Sequence, residues 1–133
     1  MLIMPDHLWA ILTIFQEAEG ESYDGKIAVA EVILRRTQDK FMSDGTIVDT
    51  CLRAYQFSGW NSKSPNRVRS AKMADDLQPV KDCIAAWDEA VHGSNLTHGA
   101  VFYYNPKLVP ERPAWADPDH YTVTIGHHDF FTA

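Results

Sequence analysis

Hydrophobic residues occupy nearly every side of a helical wheel over the first apolar run of the chain, Leu8–Phe15. A helix that is apolar all round is typical of a buried position in a core. Pro5 or Asp6 suits the start of such a helix, and Gly20 suits its stop. The pattern therefore predicts a central, mostly buried helix that ends at Ala18.

Helical spacing of apolar residues continues after this segment. Ile27, Ala30 and Leu34 define the apolar face of a second helix, and Thr46 begins a short third one with a pattern similar to a capping box. We expect residues 55–66 to form an ordered aromatic loop. The further helices predicted are Tyr23 or Asp24 to Thr37, Thr46 to about Arg53, residues 66–77, and Pro79 to Val91 with a stop at Gly93.

Toward the C-terminus the pattern changes to short runs rich in β-branched and aromatic residues. Ala100–Tyr104 and Tyr121–Ile125 predict two strands that pair antiparallel with each other. The segment between them carries four prolines, which predicts a rigid loop. The expected fold class is α+β, a mostly helical domain with a small antiparallel sheet toward the C-terminus.

Size and charge narrow the class of protein. A chain of 133 residues is long enough for a core of its own, and we expect one domain over residues 1–133. The net charge of −6 argues against a nucleic-acid partner, because phosphate binding needs a basic field. Cys51 and Cys83 are too few for a disulfide framework and are predicted to be small core residues, with a bridge between them left open.

The apolar N-terminal stretch has neither the basic start nor the cleavage site of a signal peptide. Glu17 and Glu19 end it well short of the length of a membrane span. We therefore expect a protein that is made in a cytoplasm and does not insert into a membrane.

Three carboxylates crowd the end of the first helix, at Glu17, Glu19 and Glu21. Like charges beside low-dielectric packing raise at least one carboxyl pKa, and Glu17 in the last turn also faces the negative end of the helix dipole. A carboxyl group still protonated near neutral pH is what cleavage of a glycosidic bond requires. The alternative is a solvated helix end followed by a turn.

Five stretches of the chain, in order, carry a resemblance to a known family. They are Glu17 to Glu21 with Gly25 to Arg36, Gln56-Phe57-Ser58-Gly59-Trp60, Phe102-Tyr103-Tyr104-Asn105-Pro106, Trp115-Ala116, and Ile125-Gly126-His127-His128-Asp129-Phe130. On these motifs the chain resembles the cell-wall hydrolase family of spore-cortex-lytic enzymes, whose members occur in spore-forming bacteria and bacteriophages. The resemblance implies a lysozyme-like, lytic-transglycosylase core.

The resemblance also implies an enzyme that degrades peptidoglycan by cleaving the β-1,4 bond between N-acetylmuramic acid and N-acetylglucosamine. It maps the catalytic glutamate onto Glu17, which protonates the glycosidic oxygen and then takes the proton of the muramoyl 6-hydroxyl, so that a 1,6-anhydro ring closes. A muramidase that uses water instead normally needs a second carboxylate about 5–9.5 Å away. Glu21 is the nearest candidate for that catalytic role, and capping of the second helix is its structural alternative.

Substrate contacts are predicted at aromatic and polar positions along the family motifs. Aromatic rings stack on sugars and polar side chains orient acetamido groups, whereas the alternatives are core packing for the rings and loop-tying hydrogen bonds for the polar groups. For His128 the alternative is a structural hydrogen bond near the end of the sheet. The predicted substrate-binding residues are Gln56, Ser58, Trp60, Tyr104, Asn105, Trp115 and His128.

Two other classes of protein remain open. His120, His127 and His128 suggest a zinc amidase or peptidase, but adjacent histidines in a strand point to opposite faces and the chain has no His-Glu-x-x-His helix. A non-catalytic wall-binding module fits the aromatic residues but has no need of the surroundings of Glu17. We expect neither a metal nor a cofactor.

The biological setting expected from the size of the chain and the missing export signal is that of a phage endolysin, used for host cell lysis. Such an enzyme is a monomer that accumulates in the host cytoplasm. It reaches the glycan strands of peptidoglycan once a holin opens the membrane.

Overall fold

The computed structural model describes residues 5–53, Phe57 and residues 77–133. The described elements are helices α1 (Asp6–Glu17), α2 (Tyr23–Asp39), α3 (Ile47–Leu52) and α4 (Leu77–Val91), strand β1 (Phe102–Tyr104), a 3-10 helix (Pro118–His120), and strands β2 (Tyr121–Ile125) and β3 (His128–Phe131). The predicted α+β class is confirmed. The predicted helix over 66–77, apart from Leu77, which begins α4, and all of the loop over 55–66 except Phe57 lie outside the described residues. None of the described helices is long and apolar enough to span a bilayer.

Side-chain signals set the helix ends close to the predicted positions. The Ser22 hydroxyl accepts a hydrogen bond from Gly25 N at 3.2 Å and so caps α2. Thr46 caps α3 in the same way, over a distance of 3.1 Å. Each cap satisfies a backbone N–H that the first turn would otherwise leave unpaired. Helix α4 begins at Leu77, two residues earlier than predicted, because a proline such as Pro79 is tolerated in the first helical turn.

The main core lies between α1, α2 and α4. Ala10, Ile14 and Ala18 have no exposed surface, which confirms the prediction that the first helix is buried. Cys51 and Cys83 lie in the same core as free thiols, so they are the small core residues predicted and do not form a bridge. This packing fixes the C-terminal end of α1 inside the domain.

A buried carboxylate ties the loop after α4 to α2. Glu31 is 7% exposed. Its Oε2 atom accepts hydrogen bonds from Ser94 Oγ at 2.6 Å and Leu96 N at 2.8 Å, and its Oε1 atom accepts from Thr97 N and Thr97 Oγ1 at 2.9 Å each. Hydrogen bonds to an ionised acceptor are roughly twice as strong as neutral ones. The loop that leads toward β1 is therefore held in place from α2.

The described strands form a sheet with the order β1–β3–β2, in which both pairs are antiparallel. The prediction that the two β-rich runs pair with each other is therefore wrong, because β3, which the sequence analysis did not predict, lies between them. β3 is four residues long and begins with His128 and Asp129. Such a short segment with a polar start has a weak local β signal.

The register of the strands gives the sheet two different faces. Tyr103 pairs with Phe130, and Phe130 also pairs with Val123, so these side chains share the inner face, which packs on α2. Because side chains alternate along a strand, Phe102 and Tyr104 belong to the opposite, outer face, where they lie in a cluster of aromatic rings. The alternation thus decides which aromatic side chains join the core on α2 and which join the outer cluster.

Candidate active site

Glu17 is the last residue of α1, where the helix presents the negative end of its dipole. The side chain is half-buried, and its Oε1 atom has no contact with solvent. Glu17 acts electrostatically on Arg36, Cys51 and Tyr103, which come from α2, α3 and β1. Glu19, the nearest of the clustered carboxylates, is exposed. The predicted catalytic glutamate therefore lies where three other elements meet the end of α1.

The phenol of Tyr103 is a neighbour of the Glu17 carboxyl. Burial raises the pKa of Tyr103 well above its usual value, and the charge of Glu17 and hydrogen bonding to its side chain raise it further. Tyr103 therefore stays a neutral phenol that is able to donate a hydrogen bond. The sequence analysis chose its neighbour Tyr104 instead, because a single tyrosine pair does not reveal which residue faces inward until the register is known.

Arg36, near the end of α2, is the positive group of the site. It is 4% exposed, its Nε donates a hydrogen bond to Val101 O at 2.6 Å, and its guanidinium lies 5.1 Å from the ring centre of Phe57 and 5.6 Å from that of Phe102. Burial lowers the pKa of Arg36, and the nearby charge of Glu17 opposes that shift. The sequence analysis counted like charges around Glu17 and missed this opposite one, which favours the carboxylate form.

Cys51 of α3 is a further neighbour of Glu17. Burial raises the pKa of its thiol to about 12; hydrogen bonding to Thr13 lowers it, and the charge of Glu17 raises it. A thiol that stays protonated is a poor nucleophile and a poor metal ligand. Cys51 is thus part of the wall of the site.

Glu21, the second predicted catalytic residue, points to the turn between β2 and β3. Its side chain is 4% exposed, Oε1 accepts a hydrogen bond from His127 N at 3.1 Å, and Oε2 lies 2.9 Å from His127 Nδ1. The alternative that Glu21 caps α2 is wrong, because the Ser22 side chain supplies that cap. Glu21 instead contacts His127, which lies 106 positions further along the sequence.

His127 and His128 both direct Nδ1 at the Glu21 carboxylate. His128 Nδ1 lies 3.0 Å from Glu21 Oε1, without meeting the angle of a hydrogen bond. The expectation that the two side chains point to opposite faces is wrong, because His127 belongs to the turn and only His128 is in the strand. Burial lowers the pKa of His128, and the charge of Glu21 opposes that shift.

Among the predicted substrate-binding residues, His128 lies close to the surroundings of Glu17, because its ring centre is 4.9 Å from that of Tyr103. Tyr104 and Trp115 lie in the aromatic cluster of the outer face, away from Tyr103. Asn105 accepts a hydrogen bond from the N–H of residue 107 at 2.9 Å, the loop-tying arrangement considered above. Gln56, Ser58 and Trp60 lie outside the described residues.

Metal-ligating side chains are dispersed in the part of the chain that the structure describes, where no three of the His, Cys, Asp and Glu residues are grouped to hold an ion. The Nδ1 atom of His120 lies 3.3 Å from Thr132 Oγ1, at the far end of the sheet from the β2–β3 turn. The zinc amidase or peptidase therefore finds no support in the site.

The arrangement suits proton transfer by a single carboxyl group. Glu17 is half-buried and interacts with a neutral phenol, Tyr103, and with a buried guanidinium, Arg36. A carboxyl group in such surroundings, at the end of a central helix, is suited to general acid–base catalysis.

The chain belongs to the cell wall hydrolase family, whose family model matches residues 20–131. The resemblance drawn from the motifs is thereby confirmed. The matched range includes Glu21, Tyr103 and His128, and begins three residues after Glu17. Curated relatives include the spore cortex-lytic enzyme of Bacillus cereus, 32% identical over 120 residues, and that of Oceanobacillus iheyensis, 30% identical over 121 residues. Each match covers 88% of this chain, and the chain spans about two fifths of the length of either relative, 40% and 38%.

Two solved structures share the fold over almost the whole chain. The catalytic domain of the Bacillus cereus SleB protein has a TM-score of 0.74 and 25% identity, and the match covers 96% of this chain and 89% of that one. The catalytic domain of the germination-specific lytic transglycosylase SleB from Bacillus anthracis has a TM-score of 0.73 and 24% identity, with 98% and 97% covered. These likenesses extend to α1 and therefore include the element that carries Glu17.

Proposed function

We propose that this domain cleaves the β-1,4 bond between N-acetylmuramic acid and N-acetylglucosamine in peptidoglycan as a lytic transglycosylase, with Glu17 as its acid–base group. The observation that carries the proposal is the position of Glu21. Its carboxylate is 4% exposed and engaged by His127 and His128, so it does not offer the free carboxylate that activates water in a muramidase. A transglycosylase needs no such group, because the hydroxyl of the sugar itself is the nucleophile.

Glu17 makes two proton transfers in this reaction. First, its carboxyl proton passes to the glycosidic oxygen as the bond from C1 of the muramoyl residue breaks, and N-acetylglucosamine leaves with a free hydroxyl group. Second, the Glu17 carboxylate removes the proton of the muramoyl 6-hydroxyl, and that oxygen bonds to C1. The product carries a 1,6-anhydro ring, no water is consumed, and Glu17 is protonated again at the end.

Arg36 and Tyr103 support the stage at which Glu17 is charged. The positive charge of Arg36 stabilises the carboxylate, and the neutral phenol of Tyr103 donates a hydrogen bond to it. Burial strengthens both interactions, because the local dielectric is low. Neither group competes with Glu17 as an acid, since burial keeps the phenol neutral and the guanidinium is a weak acid.

Membership of the cell wall hydrolase family supports peptidoglycan as the substrate, and a domain named as a lytic transglycosylase shares the fold. The test is mass spectrometry of the soluble fragments that the protein releases from purified peptidoglycan. We expect fragments that are one water lighter than the products of hydrolysis and that have no reducing end. Reducing muramoyl ends would make the protein a muramidase instead, and intact glycan with freed peptides would overturn the proposal.

The role of Glu17 is tested by Glu17→Gln, with Glu19→Gln as the matched control. Both variants remove one carboxylate from the same acidic stretch, but Glu19 is exposed. We expect Glu17→Gln to lose release of fragments while it still sediments with purified wall, and Glu19→Gln to keep both properties. Retained release by Glu17→Gln would refute the assignment.

We further propose that the protein serves as an endolysin, held in the host cytoplasm until the membrane opens, and that it acts as a monomer. Cleavage of the glycan is the activity that such a role requires. Expression in a bacterial host should leave cells intact until a holin or a membrane-permeabilising agent is added, and Glu17→Gln should prevent the subsequent lysis. Lysis without permeabilisation would contradict the role, and light scattering of the purified protein tests the monomer.

A further inference from the structure

We propose that Glu21 is a positioning residue, which fixes the β2–β3 turn and His128 and thereby holds Tyr103 against Glu17. The inference rests on the proposed function, because it assigns Glu21 a part in the same site. In this proposal Glu21 is not the second catalytic carboxylate of a muramidase, because it acts only through the residues that it contacts. Three contacts in series carry it.

The first contact is the seat of the Glu21 side chain between two glycines. A Cβ at Gly25 would lie 2.9 Å from Glu21 Cβ, and a Cβ at Gly126 would lie 2.7 Å from Glu21 Oε2. Real Cβ atoms do not approach other atoms this closely, so both ends of the glutamate fit only because these positions lack side chains. The absence of these two side chains therefore lets the carboxylate lie directly against the β2–β3 turn.

The second contact joins this carboxylate to the two histidines. The His127 backbone N–H donates to Oε1, which fixes the turn, and His128 Nδ1 lies 3.0 Å from the same oxygen. The His127 side chain is 62% exposed, whereas that of His128 is 13% exposed. His128 is therefore the histidine through which a movement of Glu21 would reach the interior of the domain.

The third contact joins His128 to Tyr103. Their rings meet edge to face with centres 4.9 Å apart, and Phe130 supports Tyr103 from the neighbouring strand at 5.5 Å. The hydroxyl of Tyr103 in turn interacts with Glu17. If Glu21 is displaced, the β2–β3 turn and the His128 ring are free to move. Tyr103 then loses the contact with the His128 ring that holds it in place.

The experiment displaces the Glu21 carboxylate without deleting any group that reacts. Gly126→Ala places a methyl group 2.7 Å from Glu21 Oε2, which is too close for that oxygen to stay where it is. Gly93→Ala is the matched control, because Gly93 also has a positive φ, +103° against +59° for Gly126, but a Cβ there would meet nothing within 4 Å. Both variants carry the strain of an alanine at positive φ, and only one of them moves Glu21.

We expect Gly126→Ala to lose about 10–100-fold in kcat with little change in KM, because a displacement of about 1 Å in a catalytic constellation costs roughly that factor. Gly93→Ala should keep the wild-type kcat. Equal kcat values for the two variants would overturn the inference. Melting temperatures of both variants separate a loss of kcat from a loss of folded protein.

Glu21→Gln and Glu21→Ala distinguish positioning from direct participation. The amide still accepts a hydrogen bond from His127 N and fills the same space, so a positioning role predicts that Glu21→Gln keeps most of the kcat that Glu21→Ala loses. If Glu21 were a base or a nucleophile, both variants would lose kcat equally, and added azide would restore activity to Glu21→Ala. Either of these results overturns the inference.

The wild-type products keep the two proposals apart. If the wild-type protein releases reducing ends, the proposed transglycosylase reaction has failed, whatever the variants do. If it releases 1,6-anhydro ends and Gly126→Ala matches Gly93→Ala, only the role of Glu21 has failed.

Discussion

Glu31→Gln should destabilise the domain far more than its isosteric shape suggests. Each oxygen of the Glu31 carboxylate accepts one backbone N–H and one hydroxyl, from Leu96 and Ser94 on Oε2 and from Thr97 on Oε1. An amide must present its NH2 group to one of these pairs. The hydroxyl in that pair turns and accepts, whereas the backbone N–H cannot.

The magnitude follows from these contacts. One buried N–H left facing an NH2 group costs about 1–3 kcal/mol. The two hydrogen bonds on the remaining oxygen lose their charge assistance, at about 1 kcal/mol each. The free energy of unfolding should therefore fall by about 3–5 kcal/mol, which is a large part of the stability of an ordinary domain.

Urea titration followed by tryptophan fluorescence measures this change, with Glu89→Gln as the matched control. Glu89 is exposed on α4, and the same chemical change there should alter stability little. With an m-value of about 1.5 kcal/mol/M, the midpoint of Glu31→Gln should fall by about 2–3 M. Midpoints that agree within about 0.3 M for the two variants would refute the role given to the four hydrogen bonds.

Three further predictions concern other parts of the molecule. Burial lowers the pKa of His128, so the unfolded chain binds its proton more tightly. The free energy of unfolding should therefore fall as the pH drops below about 6.5. Urea titrations of His128→Gln should show a weaker fall, and equal slopes of stability against pH for the variant and the wild type would contradict this. Burial raises the pKa of the Cys51 and Cys83 thiols to about 12 and about 11, so a chromogenic disulfide reagent should label them only after unfolding, and rapid labelling of the native protein would show the burial to be wrong. Trp115 stacks on Phe102 with ring centres 4.5 Å apart, so Trp115→Ala should cost about 2–3 kcal/mol of stability in a urea titration; weaker binding to glycan at unchanged stability would instead support its predicted contact with sugar.

The helices were predictable because their signals are local. The apolar residues of α1 are all within one segment, and Thr46 and Gly93 mark helix ends by their own chemistry. The bounds of the four described helices agree with the predicted ones within two residues. Glu17 was predicted as the catalytic residue from signals of the same local kind, since both the end of α1 and the acidic stretch are visible along a few consecutive positions.

The sheet and the surroundings of Glu17 depend on contacts between distant segments. A strand as short as β3 has little propensity of its own, so its place between β1 and β2 is decided by tertiary packing. Tyr103 faces Glu17 only because its register with Phe130 fixes the inner face. Arg36 is buried against Val101, 65 positions away, and a cation in a helix ordinarily predicts exposure.

The central place of β3 in the sheet has a consequence for synthesis of the protein. The ribosome releases α1 and Glu17 before β3 and the histidines that contact Glu21. Until then β1 and β2 have no partner between them, and both remain open edges that invite pairing with other chains. A chain cut short before β3 therefore keeps both edges open and lacks the histidines that contact Glu21.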